Sequence, residues 1–96
     1  MKVKVETSKA VLPKDSPHSQ AIVSNGFVFT QGMICLTPEG EMLEDTVEER
    51  VAQIMESLRM ILEEAGSSFE SVVKVTVFVT DLSIYGQFNE VYKSYF

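Results

Sequence analysis

The stretch AIVSNGFVFTQG, residues 21–32, sets two β-rich runs on either side of Asn25-Gly26. Asn followed by Gly supplies the two positive φ angles of a type I′ turn, whose twist matches that of the flanking strands. The stretch therefore reads as a β-hairpin. Upstream, KVKVET (residues 2–7) alternates charged and apolar side chains and reads as a first, half-exposed strand. Between them VLPKDSPHSQ (residues 11–20), with Pro13 and Pro17 framing polar residues, reads as a loop. Downstream, TPEGE (residues 37–41) is a second turn.

Residues 47–65 carry the pattern of an amphipathic helix, with Val47, Val51, Ile54, Leu58, Ile61, Leu62 and Ala65 on one face. Thr46 followed by Glu49 matches a capping box, and Glu48-Glu49 suits the positive end of the helix dipole. Gly66 stands where a left-handed residue ends such a helix. VVKVTVFV (residues 72–79) is β-branched almost throughout and reads as a central strand covered on at least one face. Asp81 or Ser83 can cap a terminal helix whose apolar stripe is Phe88, Val91, Tyr92, Tyr95 and Phe96.

The order is β, loop, β-hairpin, α, β, α. Two helices with wide apolar faces are expected to pack together on one side of one sheet, an α+β arrangement. Three or four strands give two such helices a narrow floor, so the pattern asks for more sheet, from further chain or from a partner. Residues 1–96 are therefore expected to be a single, C-terminally incomplete domain. Exposed edges and apolar helix surface would favour aggregation or partner pairing.

The net charge is −6, the arginines are Arg50 and Arg59 alone, and the six lysines are scattered. A protein that grips nucleic acid through phosphates needs clustered basic groups, so nucleic acid is a disfavoured partner. No apolar run is long enough to span a bilayer. A single cysteine, Cys35, cannot form an internal disulfide, which points to a reducing, cytoplasmic setting and a small core or interface residue. No Cys/His spacing suggests a metal, no dinucleotide or P-loop fingerprint calls for a cofactor, and one histidine supports no triad. Glu48-Glu49 and Glu63-Glu64 read as solvated helix faces.

SPHSQAIVSNGFVFTQGMICLTPEGE, EERVAQIMESLRMILEEAGSSFESVVKVTVFVTDL and FNEVYKSYF together resemble the RidA/YjgF/YER057c family, also labelled L-PSP endoribonuclease, in order and spacing. The resemblance covers the chain from about Ala10 onward. It implies a chorismate-mutase-like fold, a mixed sheet with two helices on one face, assembled as a homotrimer with ligand clefts between subunits. It also implies hydrolysis of reactive enamine/imine intermediates, 2-iminopropanoate or 2-iminobutanoate, to 2-oxo acids and ammonia, with no cofactor. Such chemistry needs a bidentate arginine for the substrate carboxylate, a held water and a carboxylic acid that manages protons. In the family that arginine lies in a PARS-like segment after the second helix and the acid in the last strand, and the 96 residues contain neither. No catalytic residue is therefore assigned within them.

Four positions carry over as ligand-binding. His18, in PHSQ, stands where the family usually has tyrosine lining the cleft; the plain alternative is a loop histidine in solvent. Gln31-Gly32-Met33 falls where the family often has Ser-Gly-Gln. Gly32 would let backbone approach a ligand, or is simply a strand glycine, while Gln31 and Met33 depart from the pattern. Asn89 matches the asparagine of FNEVY, which reaches toward the cleft. The alternative function is a non-catalytic small-molecule-binding or regulatory trimer, and the least favoured is an endoribonuclease or translation inhibitor.

Overall fold

The computed structural model describes residues 2–10 and 16–96. Three strands form one antiparallel sheet in the order β1 (Lys2–Val5), β2 (Ala21–Ser24) and β3 (Phe27–Thr30). Lys2 pairs with Ser24 and Val5 with Ala21; across the hairpin Ser24 pairs with Phe27 and Ala21 with Thr30. Asn25 and Gly26 have φ of 52° and 81°, the two left-handed residues that the Asn-Gly pair foretold. The second turn is closed by a bridge between Leu36 and Met42, and its Gly40 N–H donates to the Thr37 carbonyl at 2.8 Å. Of the loop expected over 11–20, residues 11–15, with Pro13, lie outside the described residues.

Helix α1 (Val47–Glu64) begins and ends as its sequence dictates. The Thr46 hydroxyl accepts from the Glu49 N–H at 3.1 Å. At the other end Gly66 has φ of 81°, its N–H donates to the Glu63 carbonyl at 2.9 Å, and the Ser67 N–H donates to the Leu62 carbonyl at 2.8 Å. This is a Schellman ending, which satisfies carbonyls the helix leaves over. Ile61 is fully buried and joins Val5, Ala10 and Ala21 in the core, with Val23, Val28, Met33 and Ala65 packed around them. That cluster seats α1 on the sheet. Met55, at the edge of the expected stripe, is also buried, and α1 packs against α2 as well as against β3.

Helix α2 (Tyr85–Tyr92) follows a 3₁₀ turn at Leu82–Ile84 and runs into another at Lys93–Tyr95. Asp81 caps the 3₁₀ turn that leads into α2, its carboxylate accepting from the Ser83 N–H at 2.9 Å, while α2 itself has no side-chain cap. The aromatic stripe is half-covered rather than buried, and Phe96 stays exposed. Its rings pack on one another: Phe88 on Tyr92 at 4.9 Å, Tyr92 on Phe96 at 5.1 Å, and Phe69 edge-on to both Tyr95 and Phe96.

One expectation fails. VVKVTVFV makes no sheet pairing among the described residues, so the crossover from β3 through α1 is not closed by a ladder. Val73 is 85% and Phe78 92% exposed. A β-branched sequence supplies strand propensity, but a strand exists only through partners for its backbone, and residues 73–79 have none among the described residues. The fold is α+β, a small antiparallel sheet with α1 seated on it and α2 against α1.

Candidate functional site

The four ligand-binding candidates fall into two groups. His18 is exposed in the loop before β2, with its backbone N–H donated to the Ser16 hydroxyl at 3.3 Å. Two residues on, Gln20 is 99% withdrawn from solvent and locks the loop. Its amide nitrogen donates to the Thr7 carbonyl at 3.0 Å and the Ala10 carbonyl at 3.2 Å, and its amide oxygen accepts from the Thr7 N–H. Every polar atom of that side chain is used. The Gln20 carbonyl then accepts from the Gln31 N–H at 2.9 Å, one rung beyond the β2–β3 ladder. The loop of His18 and the segment of Gln31 and Gly32 are thus tied at one end of the sheet.

The Gln31 side chain leans on its near neighbour, its amide nitrogen 3.8 Å from the Met33 sulfur. Gly32 is exposed, and a Cβ added there would meet nothing within 4 Å. No protein atom in this structure requires the glycine.

Asn89 sits elsewhere, half-buried on α2, where its backbone carbonyl accepts from the Lys93 N–H. It lines an open groove of about 560 Å³ between α2 and residues 72–75, together with Lys74, Tyr92, Lys93 and Phe96. His18, Gln31 and Gly32 are not among the residues that line it. The groove nevertheless has chemistry. Burial raises the Tyr92 phenol, which stays protonated and able to donate at neutral pH. Lys93 is held by Glu90 at 3.1 Å, whereas Lys74 has no ion-pair partner among the described residues. The lining residues thus include an amide, a phenol and an ammonium side chain, a set able to bind a small anion.

Sequence reasoning missed Gln20, Lys74 and Tyr92. Gln20 stands in PHSQ directly before the apolar run of β2, and only its three backbone partners in the fold show that it is buried. The two arginines do not enter the groove. Arg59 lies over the rings of Phe69 at 5.8 Å and Tyr95 at 5.3 Å and reaches Glu56 at 3.6 Å, a clamp between α1 and the chain's last turn. At the start of α1, Asp45 and Glu49 share a hydrogen bond that lowers the Asp45 carboxyl and raises that of Glu49. Both are fully exposed, which fits a solvated helix end. Among the described residues no three His, Cys, Asp or Glu side chains converge on one point. None of the described helices is long and apolar enough to cross a membrane.

The family model described as Endoribonuclease L-PSP matches residues 8–96. The chain belongs to that family. Among relatives of this L-PSP chain, the Reactive Intermediate Deaminase A, chloroplastic, of Arabidopsis thaliana is 37% identical over 95 residues, covering 98% of this chain and 49% of that protein. A crystal structure from Thermotoga maritima superposes with a TM-score of 0.91 at 44% identity, covering 100% of this chain and 76% of that one. E. coli TdcF, solved with bound serine, superposes with a TM-score of 0.82 at 35% identity, covering 98% and 73%. These neighbours fix the architecture as the RidA/YjgF type.

Proposed function

We propose that this L-PSP family chain acts in the hydrolysis of small enamine/imine intermediates, 2-iminopropanoate or 2-iminobutanoate, to 2-oxo acids and ammonia. The observation that carries this reading is its kinship with the Arabidopsis deaminase, which extends over 98% of the chain. The groove of Asn89, Tyr92 and Lys74 supports it, because the substrate is a small carboxylate. His18, Gln31 and Gly32 would form a second wall, brought opposite Asn89 by a neighbouring subunit of a homotrimer. The resemblance places the bidentate arginine and the acid that the reaction needs in motifs that residues 1–96 do not match, and Arg59 lies over the rings of Phe69 and Tyr95. The buried, unpaired thiol of Cys35 fits a reducing, cytoplasmic setting.

The test is 2-oxo acid and ammonia release from an imine generated in place by an amino-acid dehydratase. It is run on the 96-residue chain and on the same chain continued with the final quarter of the Thermotoga maritima relative. The chain alone is expected to be inactive. Loss of the carboxylate anchor removes an interaction of about 1.5–3 kcal/mol, and loss of the acid removes a factor of about 10²–10⁴. The extended chain is expected to turn over. Robust turnover by the 96 residues alone would place the chemistry elsewhere.

A second reading, a trimer that binds a small molecule without transforming it, is favoured by the serine held in the TdcF neighbour. Inactivity of a correctly assembled extended chain that still binds serine or 2-oxobutanoate by equilibrium dialysis would move the weight to it.

A further inference from the structure

We propose that Asn25 is a site of spontaneous deamidation, presented to that chemistry by the folded hairpin turn. The backbone nitrogen of Gly26 loses its proton to solvent base and attacks the Asn25 Cγ. The N–Cγ bond forms, the Cγ–Nδ2 bond breaks, and Nδ2 leaves as ammonia. Water then opens the imide ring at one of its two carbonyls. One opening gives aspartate; the other reroutes the chain through Cβ and Cγ and gives isoaspartate. No oxidant or reductant takes part.

Three observations carry the assignment. Asn25 and Gly26 are both exposed at the tip of the β2–β3 hairpin, where local opening costs least. The Gly26 N–H, whose nitrogen is the nucleophile, donates to no backbone carbonyl among the described residues. Gly26 also has no side chain to shield that nitrogen, and the space where a Cβ would stand holds nothing within 4 Å. The second asparagine of the chain supplies the contrast. Asn89 is half-buried on α2 and is followed by Glu90. The Glu90 N–H that would have to attack belongs to the helix ladder and is committed four residues back.

The product matters because this turn sets the register of the hairpin. Ser24 pairs with Phe27 across a two-residue loop. The φ values of 52° and 81° match the twist of that loop to its strands. Isoaspartate adds one backbone atom to the loop and a carboxylate at its tip. Val23 and Val28, the next pair along, pack against the core of Val5, Ala10, Ala21 and Ile61. A mismatched turn therefore reaches the core through the register. Each chain releases its ammonia once, without turnover, so the inference stands apart from the functional reading above.

The experiment incubates the 96-residue chain at mildly alkaline pH, folded and, in parallel, unfolded in urea. Peptide mass spectrometry follows residues 25 and 89, and an isoaspartyl methyltransferase with labelled S-adenosylmethionine counts isoaspartate. The folded chain is expected to gain one mass unit at residue 25 and none at 89, at a rate that climbs with pH. Asn25→Gly keeps a turn that Gly-Gly supports and is expected to abolish both the mass gain and the methyl acceptor. Asn25→Asp carries the charge without the longer backbone and is expected to melt close to the fresh chain, whereas the isoaspartate-rich chain melts lower. A folded chain that keeps its Asn25, whatever the unfolded chain does, overturns the proposal, as does equal conversion at residue 89.

Discussion

The side-chain amide of Gln20 donates to the carbonyl of Ala10, ten residues earlier, at 3.2 Å. Both residues are buried, and the same side chain closes a two-way pair with the Thr7 backbone. The loop between β1 and β2 is therefore pinned at its ends by one glutamine. Gln20→Leu keeps much of the volume but strands two carbonyls and one N–H, and a stranded buried group costs about 1–3 kcal/mol. Urea denaturation is expected to show a loss of that size. A change within a few tenths of a kcal/mol would mean that water replaces the amide without penalty.

The hairpin, the limits of α1 and the Asp81 cap were legible in the sequence because each is decided by two or three adjacent residues. Asn25-Gly26 needs only its own dihedral preferences, and Thr46 with Glu49 only one turn of helix. The segment at 72–79 makes no ladder among the described residues for the opposite reason. Its valines speak for a strand, but the ladder depends on backbone that other parts of a molecule must supply. The site was partly legible. FNEVY pointed to Asn89, which does line a groove, while Lys74 and Tyr92 join it only through the packing of α2 on the segment after Val72.

Helix α1 offers a clean pair of tests at its two ends. Thr46→Ala removes the hydroxyl that accepts from Glu49 and is expected to cost about 1 kcal/mol, with Thr46→Ser nearly neutral. Gly66 has open space around its Cβ position, so Gly66→Ala meets no clash. Its φ of 81° alone sets the penalty, about 1–2 kcal/mol for a side chain held in the left-handed region. Thermal melts of the two variants should therefore both fall. A stable Gly66→Ala protein would show that the helix ends differently in solution.

Asp81 provides the acid-side prediction. The hydrogen bonds from Ser83 favour its ionised form and hold the carboxyl below its ordinary value of 3.8. A depressed carboxyl contributes stability above its unfolded pKa and loses it as pH falls through the folded value. Stability is thus expected to decline on acidification below about pH 4, and Asp81→Asn, which caps equally well without a charge, should flatten that part of the curve. Carbon-detected NMR titration of the Asp81 carboxyl reads the shift directly, and an ordinary midpoint would remove the cap from solution.

Tyr95 gives the alkaline counterpart. Burial raises its phenol first, the hydrogen bond with Glu56 adds to that, and the Arg59 guanidinium over the ring opposes both. Removing the acid with Glu56→Gln is expected to move the titration down, and removing the cation with Arg59→Gln to move it further up. The sign for stability follows from the raised pKa: the folded chain prefers the neutral phenol, so the contribution is full below the unfolded value and is lost as pH rises through the folded one. Tyr92, raised by burial, loses stability in the same direction. Tyrosinate absorbance recorded against a Tyr95→Phe blank isolates the signal. Opposite shifts in the two variants would establish that Arg59 and Glu56 both face this ring. Equal shifts in one direction would mean that the clamp between α1 and the last turn opens in solution.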